Sequence, residues 1–179
     1  MGKLRGTHYC RIDDYMQYIP VASYLGMGAI GIECRNHFKE RLAVTATAYA
    51  AMGILTNTIK YTVQEKRPDS NARNSFPSGH SATAFMGAEL IRKEYGIVYA
   101  MGAYTIAFGV AFLRLYNERH WLNDVIAGAG IGILSARIGY WMLPLYRKWF
   151  HWDKSNLTAI MPSINLTDRN VAVNFVACF

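Results

Sequence analysis

A histidine and a carboxylate lie close together in the segment "LRLYNERHWLNDVIAG". His120 and Asp124 are four residues apart, so they share a face if both lie on one helical turn. The carboxylate could then hold one ring nitrogen and leave the other as a nucleophile or a base. Arg114, earlier in the segment, adds a forked cation. The simpler interpretation is a surface His/Asp pair, or an aspartate that begins a helix near its positive end.

A second segment, "NSFPSGHSATAF", places polar groups where a helix is predicted to begin. Pro77 fixes φ just before it, and the first backbone N–H groups of a helix have no partner within it, which makes an anion site. Gly79 lets an anion approach the main chain, Ser78 adds a hydroxyl, and His80 adds a titratable ring. The alternative is an ordinary helix start, with Ser78 as N-cap and His80 in a structural role.

A third segment, "KYTVQEKRP", ends a long uncharged run with cations. Arg67 follows Lys60 by seven residues, about two helical turns, so both can lie near the same face. Pro68 then ends the helix, because the residue before a proline avoids the α region. Cations at this place can simply cap the negative end of a helix, but an ammonium beside a guanidinium also suits the several oxygens of a phosphate.

Each simple interpretation is reasonable alone, but all three would have to hold in one chain and at one end of the fold. Two histidines, a carboxylate, several cations and a helix N-terminus together predict a site for phosphoryl transfer. The three cysteines show no CxxC spacing, and we expect neither a metal nor a cofactor. Nucleic acid is not an expected partner, because the 19 Lys and Arg residues, against 12 Asp and Glu, are scattered and form no known binding motif.

The elements that carry these segments are predicted to be helices. Uncharged runs extend over residues 15–32, 42–59, 95–113 and 125–146, the last interrupted by Arg137. Runs of about 18 residues are candidates for membrane helices, whereas their richness in Ala, Gly and Thr and a mean hydropathy of only +0.05 leave a soluble bundle as the alternative. Strand signals are nearly absent before residue 160. The prediction is an all-α bundle of about five core helices, embedded in a membrane.

The basic clusters at 35–41, 92–93 and 147–154 fall at alternate helix ends, so one side of such a bundle would collect all three. The positive-inside tendency places that side in the cytoplasm. The segments 60–80 and 114–124 would then lie on the opposite side, facing the periplasm from a bacterial inner membrane. A soluble periplasmic protein is the alternative.

Three smaller features add to this pattern. Gly128 and Gly132 form a GxxxG face for close helix packing. The run "GMGAIG", residues 26–31, matches a dinucleotide-binding pattern but follows no strand, so we predict a helix-packing face there. Residues 170–179 alternate like a strand, and a single strand cannot bury itself. We therefore predict one domain over residues 1–150 and a docking tail over 151–179.

In order and spacing, Lys-x6-Arg-Pro, Pro-Ser-Gly-His and Arg-x5-His-x3-Asp resemble the three-part signature of the type 2 phosphatidic acid phosphatase (PAP2) superfamily. That family includes lipid phosphatases, bacterial class A acid phosphatases, glucose-6-phosphatase and vanadium haloperoxidases. The match runs from Lys60 to Asp124, and runs such as "IDDYMQYIP" look like those of members from the Bacteroidetes. The resemblance implies a PAP2/haloperoxidase-like bundle over about residues 12–150.

The resemblance also implies a role for each matched residue. His120 attacks phosphorus and forms a phosphohistidine, Asp124 orients it, and His80 protonates the leaving oxygen. No metal is needed, and the residues that hold the phosphate oxygens are Lys60, Arg67, Ser78, Gly79 and Arg114. Two features depart from the family: Leu113 stands where a serine is usual, and about five helices are counted where membrane members usually have six. We therefore expect either that an N-terminal helix is missing from this chain or that its task is done differently.

These expectations lead to an enzyme that hydrolyses a lipid phosphate, because apolar helices would surround the site. Phosphatidic acid, phosphatidylglycerophosphate, isoprenyl diphosphate and lipid A phosphate are the candidate substrates. Membrane lipid is an expected partner, and vanadate, which is shaped like the phosphorylated transition state, is an expected inhibitor. The alternatives are a soluble broad-specificity acid phosphatase, a vanadate-dependent haloperoxidase, whose known members are much longer chains, and an inactive binding or scaffold module.

Overall fold

The computed structural model describes residues 11–152, 161–167 and 170–176. Two short helices, α1 (Ile12–Met16) and α2 (Ile19–Gly26), lead through a 3-10 turn (Met27–Ile30) into four long ones. These are α3 (Phe38–Val63), α4 (Gly79–Tyr95), α5 (Ile97–Tyr116) and α6 (Leu122–Phe150). The predicted all-α bundle of about five core helices is confirmed, with α2 to α6 as those five.

Helix α4 is the centre of the bundle. Every residue from Ser81 to Ile91 is buried, on all sides of the helix, so the predominance of small and apolar residues there follows from packing on every face. It packs against α2, α5 and α6, while α6 also packs along α3. Because α4 lies in the middle of the bundle, its first turn, which contains His80, lies at the centre of one end of the fold.

Small residues on α6 allow the close approach that fixes this arrangement. A Cβ added at Gly128 would collide with the Ser78 carbonyl oxygen, and one added at Gly132 would collide with the Ala82 carbonyl oxygen. The predicted GxxxG face is therefore confirmed, and its partner is the first half of α4. Residues 26–31 are different: they end α2 and form the 3-10 turn, and only Gly28 among their glycines is closely approached. The prediction of a helix-packing face in that run was wrong.

Three helices, α3, α5 and α6, are long and apolar enough to cross a membrane. In the most apolar stretch of each, only 28%, 33% and 33% of the residues are buried within the bundle. Large apolar side chains consequently face outward, among them Phe108, Phe112 and Trp141, which are 62%, 65% and 70% exposed. Apolar surface of this extent marks a contact with lipid or protein rather than water. The fold is that of a membrane-associated protein, and the soluble bundle is not favoured.

The uncharged run over residues 15–32 does not form one membrane helix, contrary to the prediction. Pro20 stands at the start of α2, and Gly31 ends the following turn with φ of 86°, in the left-handed region that favours glycine. Between them α2 has 8 residues, or about 12 Å of helix, against a hydrocarbon core of about 30 Å. Charge content alone did not reveal these interruptions.

The basic clusters lie together at the end of the bundle where α4 finishes. Arg35 donates to the Lys93 carbonyl oxygen over 3.3 Å, and Arg147 is paired with Glu40 and with the Asn36 side chain. The start of α3 and the ends of α4 and α6 therefore meet, as the clusters at 35–41, 92–93 and 147–154 predicted, over their described residues. The remaining basic position of the third cluster, Lys154, lies outside the described residues.

The C-terminal residues form an antiparallel hairpin of β1 (Met161–Thr167) and β2 (Asn170–Val176), in which Met161 pairs with Val176. The strand predicted within residues 170–179 is confirmed over its described part. Its partner strand was not predicted, and it resolves the difficulty that one strand cannot stand alone. The division into a domain over 1–150 and a tail over 151–179 remains a prediction.

Candidate active site

Four helix termini meet at the end of the bundle opposite the basic clusters: the ends of α3 and α5 and the starts of α4 and α6. The Ser78 N–H donates to the Asp124 carbonyl oxygen over 2.9 Å, so the starts of α4 and α6 are held together. The contact of Gly128 with the Ser78 carbonyl fixes the same junction from the next turn of α6. The two histidine-bearing segments are therefore joined by backbone contacts before any side chain is considered.

His120 and Asp124 form the predicted pair, but across a helix start rather than along a helical turn. His120 precedes α6, and Asp124 lies in its first turn. The His120 Nδ1 atom is 3.3 Å from Asp124 Oδ2, and both side chains are almost fully buried. Because Nδ1 faces the carboxylate, Nε2 is the ring nitrogen left for chemistry.

Asp124 is fixed by further contacts. Its Oδ2 atom accepts the Trp121 N–H over 2.9 Å and a short hydrogen bond from the Ser75 hydroxyl. The Asp124 carboxylate therefore caps α6 and also holds His120. Its two predicted roles, as a partner of His120 and as a residue at the start of a helix, are both present. Burial and the charge of Arg67 lower the pKa of His120 below its usual range, although Asp124 opposes them. The ring is consequently neutral at neutral pH, the form that has a lone pair for attack.

Lys60 and Arg67 come together through a loop, not through one helix face. Helix α3 ends at Val63, where the next residue takes a left-handed conformation, so Arg67 lies beyond the helix. Both cations return to Asn74: the Lys60 Nζ donates to its backbone oxygen and the Arg67 Nε to its side-chain oxygen, each over 2.8 Å. The predicted neighbourhood is present, but its helical explanation was wrong, and Asn74 was missed.

The segment Pro-Ser-Gly-His begins α4 as predicted. Ser78 is the N-cap and is fully buried, and its hydroxyl accepts from the Ser81 N–H and the Ser81 hydroxyl. The Ser78 hydroxyl therefore acts as the N-cap acceptor of α4 in this structure. Gly79 has open space where a Cβ would stand, so an anion can approach the first N–H groups of the helix.

Two further site residues escaped sequence reasoning, both on α1. Asp14 Oδ1 lies 2.6 Å from Arg114 Nη2 and 3.1 Å from His80 Nε2. Asp13 Oδ2 lies 2.8 Å from Arg114 Nε. Two carboxylates near the start of the chain therefore hold Arg114, which is predicted to bind phosphate. The available signal was the position of Asp13 and Asp14 directly before the uncharged run over residues 15–32. Two adjacent carboxylates beside an apolar segment usually have a cationic partner.

All eight predicted site residues thus lie at one end of the bundle. They form two groups, one around His120 with the Lys60 and Arg67 charges, the other around His80 and Arg114. A cavity of about 280 Å³ adjoins the first group and includes Lys60 and Arg73 in its lining. The larger cavity of about 430 Å³ lies at the opposite end, beside Glu94 and Tyr99, and none of the predicted residues lines it.

Comparison with known proteins gives a family match. The family model described as "PAP2 superfamily" matches residues 41–148 of this chain. Over 144 residues the chain is 39% identical to a protein named lipid A 1-phosphatase from Porphyromonas gingivalis, covering 78% of this chain and 32% of that protein. Over 74 residues it is 36% identical to the bacitracin transport permease protein BcrC of Bacillus licheniformis, covering 40% of this chain and 34% of that one. This chain therefore spans about a third of the length of the curated relatives it matches.

The fold also matches a solved structure, the crystal structure of Aquifex aeolicus LpxE. The TM-score is 0.57 and the sequence identity 22%, over 75% of this chain and 88% of that chain. At this identity the likeness concerns the arrangement of helices alone.

Proposed function

This chain belongs to the PAP2 superfamily, as its three motifs indicated, and from that membership we propose that it is a metal-independent phosphatase that hydrolyses a lipid phosphate through a phosphohistidine. The observation that carries the proposal is the His120–Asp124 contact at 3.3 Å. It leaves Nε2 of a neutral ring at the same end of the fold as the cations and the start of α4. A nucleophile, its orienting carboxylate and an anion site are the parts that phosphoryl transfer requires.

In the first step, the His120 Nε2 lone pair attacks phosphorus while the bond from phosphorus to the lipid oxygen breaks. His80 gives a proton to that oxygen, so the lipid leaves as an alcohol, or as a phosphate if the substrate is a diphosphate. In the second step, water attacks the phosphohistidine and loses a proton to His80. Inorganic phosphate leaves, and both histidines return to their starting forms.

The cations stabilise the charge that moves between these oxygens. Lys60 and Arg67 are held near each other by Asn74, and both act electrostatically on His120. The N–H groups in the first turn of α4, which begins at Gly79, add partial positive charge. Fixed donors of this kind need no reorganisation when charge develops, which is usually the largest contribution to catalysis in such sites.

The surroundings of the site support an amphiphilic substrate. The helices that lead to it, α3, α5 and α6, present apolar side chains outward along their length. A lipid held by its tails in the bilayer would bring its phosphate to the level of the helix ends. The name of the relative from Porphyromonas gingivalis makes a lipid A type 1-phosphate the first substrate to test, ahead of phosphatidic acid, phosphatidylglycerophosphate and isoprenyl diphosphate.

For location, we propose the bacterial inner membrane with the site on the periplasmic side. The support is that Arg35, Lys93 and Arg147 lie together at the opposite end, which the positive-inside tendency assigns to the cytoplasm.

The test is a substrate panel with the detergent-purified full chain. Lipid A 1-phosphate, phosphatidic acid, an isoprenyl diphosphate and glucose 6-phosphate are compared by phosphate release, with and without EDTA and vanadate. We expect lipid phosphates to be hydrolysed faster than glucose 6-phosphate, with activity kept in EDTA and lost in vanadate. Equal rates on glucose 6-phosphate would support the acid phosphatase instead, and bromide oxidation by the vanadate-loaded protein would support the haloperoxidase.

A further inference from the structure

The two carboxylates of α1 reach into the His80 side of the site from residues far away in sequence. Asp13 is fully buried and Arg114 is 3% exposed, whereas the side chains of Asp14 and His80 are 41% and 29% exposed. Asp14 Oδ1 is shared, at 2.6 Å from Arg114 Nη2 and 3.1 Å from His80 Nε2. Asp14 therefore makes a polar contact with both of these predicted site residues.

A purely structural role explains Asp13 but not Asp14. One carboxylate neutralises a buried guanidinium, and Asp13, at 2.8 Å from Arg114 Nε, does this from a fully buried position. With the second carboxylate, the three groups Asp13, Asp14 and Arg114 together carry one net negative charge. That charge is balanced when His80 carries a proton on both ring nitrogens, since Asp13 and Asp14 then face Arg114 and an imidazolium.

We propose, on the basis of the proposed function, that Asp14 is a positioning residue that favours the protonated, proton-donating form of His80 and fixes the direction of its ring. The His80 Nε2–H is donated to Asp14, so the Nδ1–H is the proton that passes to the leaving oxygen. After the transfer His80 is neutral and keeps its Nε2–H on Asp14. Water attack on the phosphohistidine then returns a proton to Nδ1, which closes the cycle.

The pKa of His80 is lowered overall, and Asp14 opposes that change. The hydrogen bond from Arg114 lowers the pKa of Asp14, so this carboxylate stays ionised. Burial and the charge of Arg114 lower the pKa of His80, while Asp14 and then Asp13 oppose that change. Arg114 from α5 and the two aspartates from α1 are the charged groups that act on His80. Removing the charge of Asp14 would therefore lower the pKa of His80 further.

The sign of the effect on rate follows directly. A general acid must be protonated in the free enzyme, so its titration forms the basic limb of the kcat/KM profile against pH. Loss of an opposite charge within 4–6 Å changes a pKa by about 1 unit or more. In Asp14→Asn the basic limb should therefore move to lower pH by about 1 unit, while the acidic limb, which belongs to His120, stays in place.

The experiment compares Asp14→Asn with a matched control, Asp69→Asn. Asp69 is also at this end of the bundle and pairs with Arg119 over 3.2 Å, but it touches no proposed catalytic group. Full-chain variants in detergent are assayed from pH 4 to 9 on an alkyl phosphate and on p-nitrophenyl phosphate, whose leaving group needs little protonation. The thermal midpoint of each variant is measured, and Asp14→Ser serves as a second uncharged variant if Asp14→Asn does not fold.

We expect Asp14→Asn to lose about tenfold or more on the alkyl phosphate at pH 8, within the range of a general-acid contribution, and less than threefold on p-nitrophenyl phosphate. Asp14→Glu should recover much of the loss, and Asp69→Asn should match the wild type. An Asp14→Asn profile identical to the wild type would overturn the proposal. A faster Asp14→Asn enzyme would overturn it too, because Asp14 would then be blocking the phosphate position. Inactivity of the wild type on every phosphate would instead refute the proposed function.

Discussion

Replacing Asp124 by Asn tests how much of the rate depends on the carboxylate that holds His120. Asn has nearly the same size and can still accept the Trp121 N–H that Asp124 Oδ2 accepts over 2.9 Å. What changes is the charge 3.3 Å from His120 Nδ1. In the other orientation of the Asn side chain, its NH₂ group takes the Oδ2 position, loses the Trp121 N–H and faces Nδ1 as a donor. This would put the ring proton on Nε2 and remove the attacking lone pair.

The magnitude follows from that distance. A positive charge that develops on His120 during attack interacts with Asp124 at 3.3 Å, and at an effective dielectric of about 20 such a pair is worth roughly 5 kcal/mol. This is an upper limit of about 10³ to 10⁴ in rate. A single charge-assisted hydrogen bond gives a lower limit of about 1.5–3 kcal/mol, or roughly 10- to 150-fold. We therefore expect kcat of Asp124→Asn to fall by about 10- to 10⁴-fold.

The assay is single-turnover phosphate release by the detergent-purified variant, with the thermal midpoint measured in parallel because Asp124 is fully buried. Asp69→Asn is the control, and it should keep the wild-type rate. An Asp124→Asn variant that is folded and within fivefold of the wild type would refute the role given to this carboxylate. A variant that is slow but also unfolded at the assay temperature would be retested at lower temperature against the same control.

Three other predictions concern the second histidine, the orientation and the packing. His80→Ala should lose about 10²-fold or more on an alkyl phosphate but much less on p-nitrophenyl phosphate, and equal losses on both would argue against a general acid. With the native cysteines replaced, a cysteine at Ser70 should react with an impermeant reagent in intact spheroplasts and one at Lys93 should not; the reverse pattern would invert the proposed orientation. Gly132→Ala should destabilise the bundle by about 1–3 kcal/mol, since its Cβ would meet the α4 backbone, whereas Gly130→Ala, which meets open space, should not; equal thermal midpoints would contradict this packing.

The sequence predicts the site well where its parts are local. The Ser-Gly-His helix start and the His120–Asp124 spacing are short patterns, and the structure brings each together, although the second contact crosses a helix start. The three long apolar helices could be predicted because their uncharged runs are about as long as a membrane is thick. Distant contacts could not be predicted in this way.

The partner of His80 shows why. Asp14 is separated from His80 by 66 residues, and no periodicity links a five-residue helix to the start of α4. His80 has no carboxylate four residues later in the sequence, and the fold supplies one from α1. Arg67 shows the opposite case: its nearness to Lys60 was expected from helical spacing, but a left-handed residue ends α3 first and Asn74 brings the two together.

The central claim, that His120 carries the phosphoryl group, is tested most directly by trapping the phosphoenzyme. The wild type and the His80→Ala and His120→Ala variants are mixed with p-nitrophenyl phosphate and quenched in alkali, and the phosphorylated peptide is located by mass spectrometry. We predict an acid-labile phosphate on the peptide that contains His120, in the wild type and in His80→Ala, and none in His120→Ala. A phosphoenzyme that forms in His120→Ala and is lost in His80→Ala would contradict the claim and assign the nucleophile to the other histidine.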